Sequence, residues 1–428
     1  MALGNLISSK LIVIFPVLLA CTVSDTPDAA AMKPEPVPVV ATAIATPAVG
    51  TDTERNRVAE GEQAFATRLY AKLPHDGNLS SSPTSIRIAL AMASAGAKGD
   101  TARQMETSLA LEGSSQSIHD GFAAELRALA STSSKQTVRV VNRLWAQKGR
   151  PFNADFVSLL QRNYAAPLAE LDFHSDADKS RLTINSFIEE STEHKIKDLL
   201  PRGALAKETK LVLTNAVYFK ADWQQRFDPS ATVDAPFFVS GAMTTPSKLM
   251  TTTHSFRYAK TADAQVLELP YASGQMSMMI VLPNDKDGIT KLENTFKDTS
   301  IATWASALSS TEVNVRLPRF TLTSHFSLAR KLGAMGMPLA FDPEKADFSG
   351  IDGTRELYLG DVIHQAFVTV DEKGTEAAAA TAIVAPPTAM PVASPVDFRA
   401  DHPFVFFIRD TRGAILFMGR VADPAPTR

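Results

Sequence analysis

The chain has 428 residues, of which 45% are hydrophobic and 21% charged, a composition typical of a globular protein. Its 43 Lys and Arg nearly balance its 46 Asp and Glu, and this lack of basic excess disfavours binding to nucleic acid. Cys21 is the only cysteine, which excludes a disulfide within the chain.

An apolar stretch runs from Leu11 to Ala20 after a single basic residue, Lys10. It is shorter than the ~20 residues that a membrane-spanning helix needs, and it is typical of a secretory signal. Cys21 follows directly, and Leu18-Leu19-Ala20-Cys21 resembles a bacterial lipobox, whose cysteine becomes acylated. We expect residues 1–20 to be a lipoprotein signal peptide and the exported protein to be anchored through Cys21 to a bacterial outer membrane or cell surface. An ordinary cleaved signal, which would give a secreted protein, is the alternative.

Residues 21–55 are rich in Ala, Pro and Thr and contain no aromatic residue, which predicts a disordered tether. Residues 56–428 then form a single domain in this interpretation. Helical spacing joins Val58, Phe65 and Leu69, and further helices are predicted at 85–92, 119–129 and 327–335. Strands are predicted at 137–144, 210–219, 266–269, 276–282, 313–317, 366–370 and 404–408. Because strands and helices do not alternate strictly, the pattern predicts an α+β fold with mostly antiparallel sheets.

Enzyme motifs are missing from the sequence. It contains no G-x-S-x-G elbow, no H-E-x-x-H, no phosphate-binding loop and no dinucleotide fingerprint. None of the eight histidines stands at metal-ligand spacing from another histidine or the cysteine. We therefore expect no enzymatic activity, no metal and no cofactor, although a Ser-His-Asp triad assembled in space stays open as an alternative.

A run of twenty uncharged residues from Ala377 to Val396 is the strongest local anomaly. Its composition alone suits an Ala/Pro linker, but only about thirty residues follow, and those read as core strands. A long loop inside a compact domain is usually functional.

The segment Val370–Ala382, VDEKGTEAAAATA, resembles the hinge of the serpins, a family of serine protease inhibitors. Six further serpin-like motifs stand in the family's order, so the resemblance covers about Val58 to Pro424. They are Asn78–Met105, Leu211–Thr232, Leu267–Pro283, Val315–Leu322, Ala346–Ile351 and Phe398–Pro424. The resemblance implies large, mostly antiparallel sheets, surrounding helices and an exposed reactive loop at about residues 372–397.

The resemblance also implies a mechanism. A protease cleaves the loop, becomes trapped as an acyl-enzyme, and is carried away as the loop inserts into the large sheet. The implied hinge comprises Gly374, Thr375, Glu376, Ala377, Ala378, Ala379, Ala380 and Thr381. Alternation along a strand predicts that Thr375, Ala377, Ala379, Thr381 and Ile383 face inward, and all but the last are small. Gly374 is expected to supply backbone freedom at the pivot.

Two structural clusters carry over by their match to the family. Ser82, Ser85, Asn215 and His364 correspond to the shutter, a buried polar cluster beneath the strands that part. Trp223, Arg319 and Glu372 correspond to the breach, where the hinge enters the sheet, and we expect a Glu372–Arg319 ion pair there. An ordinary hydrogen-bonded core histidine is the other interpretation of His364, and both interpretations give it a structural role.

The family's usual hinge-to-bait distance places the scissile bond at Thr388–Ala389, with Ala389–Met390 as the alternative. No Lys or Arg lies between Lys373 and Arg399, which disfavours a trypsin-like target and favours an elastase-like or subtilisin-like one. The expected partner is thus a serine protease, bound covalently by a monomeric inhibitor. Arg127 is the only Lys or Arg between Ser114 and Ser134, so heparin is not expected as a partner. A non-inhibitory serpin that acts as a surface binding or structural lipoprotein is the alternative function.

Overall fold

The computed structural model describes residues 46–130, 135–297, 301–375 and 394–425. Within these ranges the chain forms eleven α-helices and fifteen β-strands. The helices are α1 Asp52–Glu60, α2 Glu62–Tyr70, α3 Pro83–Ser94, α4 Gly99–Ser108, α5 Ser115–Ala130, α6 Ala154–Tyr164, α7 Ala177–Ser191, α8 Ile289–Asn294, α9 Ile301–Ala307, α10 Ala329–Ala334 and α11 Ser349–Asp352. The strands are β1 Leu79–Ser81, β2 Gln136–Gln147, β3 Ala169–Leu171, β4 Leu211–Asp222, β5 Val233–Ser240, β6 Met243–Lys260, β7 Ala264–Pro270, β8 Met276–Pro283, β9 Ser309–Pro318, β10 Phe320–Ser327, β11 Val362–Val370, β12 Gly374–Thr375, β13 Val396–Arg399, β14 Phe404–Asp410 and β15 Ile415–Val421.

The first sheet has six strands in the order β10-β11-β12-β4-β2-β3. Most neighbours in it are antiparallel, but β11 also pairs with β4 in parallel, over Val362–Phe367 and Leu213–Tyr218. The two-residue strand β12 lies between the far ends of β11 and β4 and is antiparallel to both. The sheet is therefore closed along most of β11 and parted only at β12.

The second sheet has nine strands, in the order β1-β15-β14-β8-β7-β6-β9-β13, with β5 paired to β6. Its pairings are antiparallel except that of β13 with β9. The central strands β8, β14 and β15 are buried almost throughout, which explains their continuous apolar sequence. Together the two sheets and the helices around them confirm the predicted α+β fold with mostly antiparallel sheets.

Helix α3 is buried along its length and contacts strands of both sheets. Ser82 caps its N-terminus, since its hydroxyl accepts a hydrogen bond from the Ser85 N–H, and Pro83 occupies the first turn, where a missing N–H costs nothing. This sequence places Ser82 and Ser85 at a fixed position beneath the six-stranded sheet.

The folded region begins earlier than the sequence pattern suggested. Helix α1 starts at Asp52, inside the segment 21–55 that we assigned to a tether, and Thr51 and Glu54 form a capping box at its start. The helical spacing from Val58 to Leu69 belongs to two helices, which meet at Gly61. A Cβ at Gly61 would lie 2.3 Å from the Ala110 carbonyl oxygen, so close packing requires glycine at this junction.

Several predicted segments lie outside the described residues. These are the signal peptide 1–20, Cys21, most of the tether, and the loop from Glu376 to Ala393. None of the helices that the structure does describe combines the length and apolarity needed to cross a bilayer.

Candidate functional site

The predicted hinge begins inside the six-stranded sheet. Thr375 pairs with Val370 on β11 and with Ala221 on β4, so β12 is already a strand between them. The Thr375 side chain is fully buried, and its hydroxyl lies 2.8 Å from the Tyr271 hydroxyl. The first inward-facing position of the loop is thereby fixed.

Gly374 meets a tight packing constraint at the root of the loop. It is not among the residues with positive φ, so no left-handed backbone demands glycine here. A Cβ at this position would instead lie 2.0 Å from the Ala221 carbonyl oxygen. Gly374 therefore allows the hinge to approach β4 closely enough to pair with it.

A tight turn joins β11 to β12. The Asp371 carboxylate accepts hydrogen bonds from the N–H groups of Lys373 (2.9 Å) and Gly374 (3.2 Å). The Asp371 N–H in turn donates to the Gly374 carbonyl oxygen at 2.8 Å. An aspartate that bonds to the backbone two residues on is a common turn device, so this role of Asp371 could have been predicted from the sequence.

Glu372 lies at the root of the loop together with Arg319. Its Oε1 accepts hydrogen bonds from Arg319 Nε at 2.8 Å and from the Thr232 hydroxyl at 2.5 Å. Burial acts to raise the pKa of Glu372, but these hydrogen bonds outweigh it and hold the pKa below its usual value. The carboxylate is therefore ionised at neutral pH and anchors the turn to Arg319, which lies between β9 and β10.

Trp223 completes this cluster, which we call the breach after the family region it matches. Its indole Nε1 donates to the Asp371 carbonyl oxygen at 2.9 Å, and its backbone N–H donates to the Lys373 carbonyl oxygen at 2.8 Å. The indole stacks on Tyr271 with 4.6 Å between ring centroids. Tyr271 thus links Trp223 to Thr375, a connection for which the sequence offers no local signal.

Two of the shutter residues, Asn215 and His364, lie in one row across the six-stranded sheet. Asn142 on β2, Asn215 on β4 and His364 on β11 are direct neighbours in register. The Asn215 amide donates to Asn142 and to Ser85, whose hydroxyl lies 2.5 Å away. The structure therefore brings together all four predicted shutter residues and adds Asn142, which sequence reasoning missed.

His364 is held as a neutral imidazole. Its Nε2 accepts a hydrogen bond from the Ser82 N–H at 3.2 Å, and its Nδ1 donates to the Asn215 side-chain oxygen. Because Nε2 accepts a hydrogen bond from a backbone N–H, it carries no proton itself. The neutral ring therefore has its proton on Nδ1. Burial, with a smaller contribution from neighbouring His325, lowers the pKa of His364 to about 3.

The remaining predicted site residues lie outside the described part of the chain. They are Glu376, Ala377, Ala378, Ala379, Ala380, Thr381, Thr388, Ala389 and Cys21. Within the described ranges, no group of three or more His, Cys, Asp or Glu is placed to hold a metal ion.

The state of His364 makes stability depend on pH. With a folded pKa of about 3 and an unfolded value near 6.5, the unfolded chain binds more protons between these values. The contribution of His364 to the free energy of unfolding is therefore complete above about pH 6.5 and is lost as the pH falls towards 3. Urea midpoints measured from pH 7.5 to 4.5 should decline less for His364→Gln than for the parent, while the exposed His174→Gln should match the parent. An equal decline in all three proteins would contradict the buried neutral state.

The family model described as "Serpin (serine protease inhibitor)" matches residues 60–424. Leukocyte elastase inhibitor A of Rattus norvegicus is 37% identical over 380 residues, which span 86% of this chain and 100% of that protein. Leukocyte elastase inhibitor of Bos taurus is 40% identical over 372 residues, or 84% of this chain and 97% of the relative.

Solved structures agree with these sequence relatives. Uncleaved ovalbumin superposes with a TM-score of 0.78 and 27% sequence identity, over 86% of this chain and 100% of that one. The family model spans most of the chain, including both clusters described above and the loop between β12 and β13. The chain therefore belongs to the serpin family.

Proposed function

We propose that the chain is an inhibitory serpin that traps a serine protease as a suicide substrate. The protease's serine attacks a carbonyl in the loop and forms an acyl-enzyme, while the new amine leaves with the C-terminal segment. The loop then inserts between β11 and β4 and carries the bound protease along before water can hydrolyse the ester. The chain itself supplies the bait and the driving force, and all of the catalysis comes from the target.

The observation that carries this proposal is the pairing of Thr375 between β11 and β4. This pairing starts an antiparallel strand, and it would set the register for the loop residues that follow Thr375. Thr381 is six residues after Thr375, and His364 and Asn215 are six residues before its partners Val370 and Ala221. In the same register, Thr381 would therefore lie between Asn215 and His364. The polar Thr381 would thus meet the polar row of the sheet. The small Ala377 and Ala379, which lie between Thr375 and Thr381, would meet apolar neighbours.

Insertion also has a favourable energy balance. It separates the parallel pairing of Val362–Phe367 with Leu213–Tyr218 and replaces it with antiparallel pairing on both sides of the new strand. About a dozen new ladder hydrogen bonds at ~1 kcal/mol each contribute on the order of 10 kcal/mol, before the lost β11–β4 hydrogen bonds and the ordering of the loop are subtracted. The uncleaved protein is in this account held by a kinetic barrier.

The hinge composition favours inhibition over a purely binding or structural role. Thr375 faces inward, so Ala377, Ala379 and Thr381 would face inward too, and none is bulky or charged. A serpin that never inserts its loop would not need small side chains at alternate positions. The second candidate, a non-inhibitory serpin that acts as a surface lipoprotein, therefore has less support.

Two features support an elastase-like or subtilisin-like target. The loop between Lys373 and Arg399 offers no cation to a trypsin-like pocket, and Thr388 and Ala389 suit a shallow apolar one. Several relatives carry the name leukocyte elastase inhibitor. We propose Thr388–Ala389 as the scissile bond, in a monomeric inhibitor that needs neither heparin nor another cofactor.

The N-terminal segment supports export and anchoring, which we propose on the sequence alone. The apolar run Leu11–Ala20 and the lipobox-like Leu18-Leu19-Ala20-Cys21 precede the part that the family model matches. Lipidation of Cys21 would hold the inhibitor on the surface of a bacterial membrane.

The hinge can be tested with two neighbouring substitutions. Ala377→Arg would place an unpaired charge inside the sheet, which costs several kcal/mol, whereas Ala378→Arg would keep its charge in solvent. Incubation with an elastase followed by a denaturing gel should show a covalent complex for the parent and Ala378→Arg. Ala377→Arg should be cleaved as a substrate, with a stoichiometry of inhibition raised at least about tenfold. An unchanged stoichiometry for Ala377→Arg would exclude the insertion mechanism.

The bait bond can be located by mass spectrometry of the released C-terminal fragment. Under inhibitory conditions its N-terminus should be Ala389, or Met390 if the bond lies one residue later. A fragment that begins outside Pro387–Val392 would refute the assignment.

The anchor can be tested by expression of the full chain in a bacterium that processes lipoproteins. The parent should enter the detergent phase on phase partition and carry an acylated N-terminal Cys21, while Cys21→Ser should lose the acyl groups and stay in the aqueous phase. A parent protein that partitions into the aqueous phase without acylation would be a secreted inhibitor.

A further inference from the structure

The connection between α7 and β4, residues 192–210, crosses the outer face of the six-stranded sheet, and we call it the strap. Its buried side chains Ile196, Leu199, Leu200 and Leu205 share one apolar cluster with residues of β2, β4 and β11. Helix α7 packs over β2, and the Leu199 carbonyl oxygen contacts β10 on the far side of the sheet. Because β4 and β11 lie between β2 and β10, the strap spans the line along which β4 and β11 are paired.

One hydrogen bond joins the strap to β10. His325 Nε2 lies 2.9 Å from the Leu199 carbonyl oxygen, and since a carbonyl can only accept, His325 is the donor. The neighbours Ser324 and Phe326 are buried on the opposite face of the strand, where the Ser324 hydroxyl accepts a hydrogen bond from the Ser80 N–H. Side-chain alternation along β10 therefore places the His325 imidazole on the face that the strap covers.

The strap is joined more firmly to α7, one residue further along. The Leu200 N–H donates to the Asn185 side-chain oxygen at 2.8 Å. The Leu200 carbonyl oxygen accepts hydrogen bonds from the Asn185 amide at 2.9 Å and from Arg181 at 3.2 Å. Asn185 and Arg181 are buried, whereas His325 is exposed. Three buried hydrogen bonds outweigh a single partly exposed one, so the strap would stay with α7 if the two sides of the sheet separated.

The strap also contains strained backbone. Glu193, His194 and Asp198 have positive φ angles of 53°, 58° and 49°, and Asp198 directly precedes Leu199. Left-handed backbone is uncommon for residues other than glycine and carries a cost in free energy. Contacts such as the one with His325 therefore hold the strap in this shape, and its backbone gains freedom when they open.

Entry of a strand between β11 and β4 would move these two neighbours apart by one strand spacing, about 4.8 Å. Strand β10 pairs with β11 along its whole length, so it would move with β11 while the strap stays with α7. Apolar contacts can slide over such a distance, but a 2.9 Å hydrogen bond cannot survive it.

We propose that His325 is a positioning residue for loop insertion, and that its hydrogen bond to Leu199 is a latch that must open for the new strand to enter. The latch would hold the closed sheet until the loop is cut, and it would contribute to the time that the acyl-enzyme has for hydrolysis. This inference rests on the inhibitory function proposed above.

Three variants separate the latch from an ordinary structural contact. His325→Phe keeps an aromatic ring on the strand but has no donor, whereas the amide N–H of His325→Gln can replace Nε2–H and should retain the bond. Thr321→Val is the matched control, because the Thr321 hydroxyl bonds to Thr369 within the β10–β11 pair, which insertion leaves intact. Both substituted positions are exposed on β10, and His325→Thr, which also cannot reach the strap, serves if His325→Phe fails to fold.

The first measurement compares the melting temperature of the intact protein with that of the protein cleaved in its loop by a protease that it does not inhibit. His325→Phe should lower the melting temperature of the intact form by about 2 °C and leave that of the cleaved form unchanged, since the cleaved form has already lost the bond. Thr321→Val should lower both by similar amounts, and His325→Gln should match the parent. An equal loss in both forms for His325→Phe would overturn the latch.

The second measurement is the rate of insertion after mixing with excess elastase, followed by stopped flow through a fluorophore on Val384→Cys in the Cys21→Ser protein. His325→Phe should insert about fivefold faster than the parent, the factor that one hydrogen bond contributes to a rate, while His325→Gln and Thr321→Val stay within about twofold. An unchanged rate for His325→Phe in a parent that does insert would overturn the latch alone. A cleaved parent that melts no higher than the intact one would overturn the proposed function and the latch together.

Discussion

The position of Thr375 between β11 and β4 is the constraint that governs how the proposed new strand can enter the sheet. The two strands pair directly along six residues and part only where β12 enters. The buried Thr375 side chain, its contact with Tyr271 and the close approach of Gly374 to Ala221 fix both the register and the inward face of the loop. Any further strand has to continue from this point.

Two clusters oppose that continuation. The breach holds the turn before the loop through Glu372, Arg319 and Trp223. The shutter holds β11 and β4 together further from the hinge, where His364 is hydrogen-bonded to both Ser82 and Asn215. If the loop inserts as we propose, the hydrogen bonds of both clusters would have to open before new ones form, so they would contribute to a barrier as well as to stability. In the proposed mechanism the same side chains would delay insertion and afterwards contact the new strand.

Much of the architecture could be predicted from local sequence. Apolar runs predicted the central strands, and the order of motifs along the sequence indicated the family. Local signals could not identify Tyr271, which meets Thr375 across 104 residues, or Asn142, which joins the shutter only through sheet register. The packing constraint on Gly374 was missed for the same reason, since its close neighbour Ala221 is distant in sequence. The start of α1 at Asp52 was missed because the Ala/Pro/Thr-rich composition continues up to its N-cap.

The central claim is that the uncleaved protein is metastable and gains a strand when its loop is cut. The most direct measurement compares the melting temperature of the intact protein with that of the same protein cleaved within the loop by a protease it does not inhibit. Insertion predicts that the cleaved form melts higher by roughly 10 °C or more, since several kcal/mol are gained. Equal melting temperatures, or a less stable cleaved form, would contradict the account.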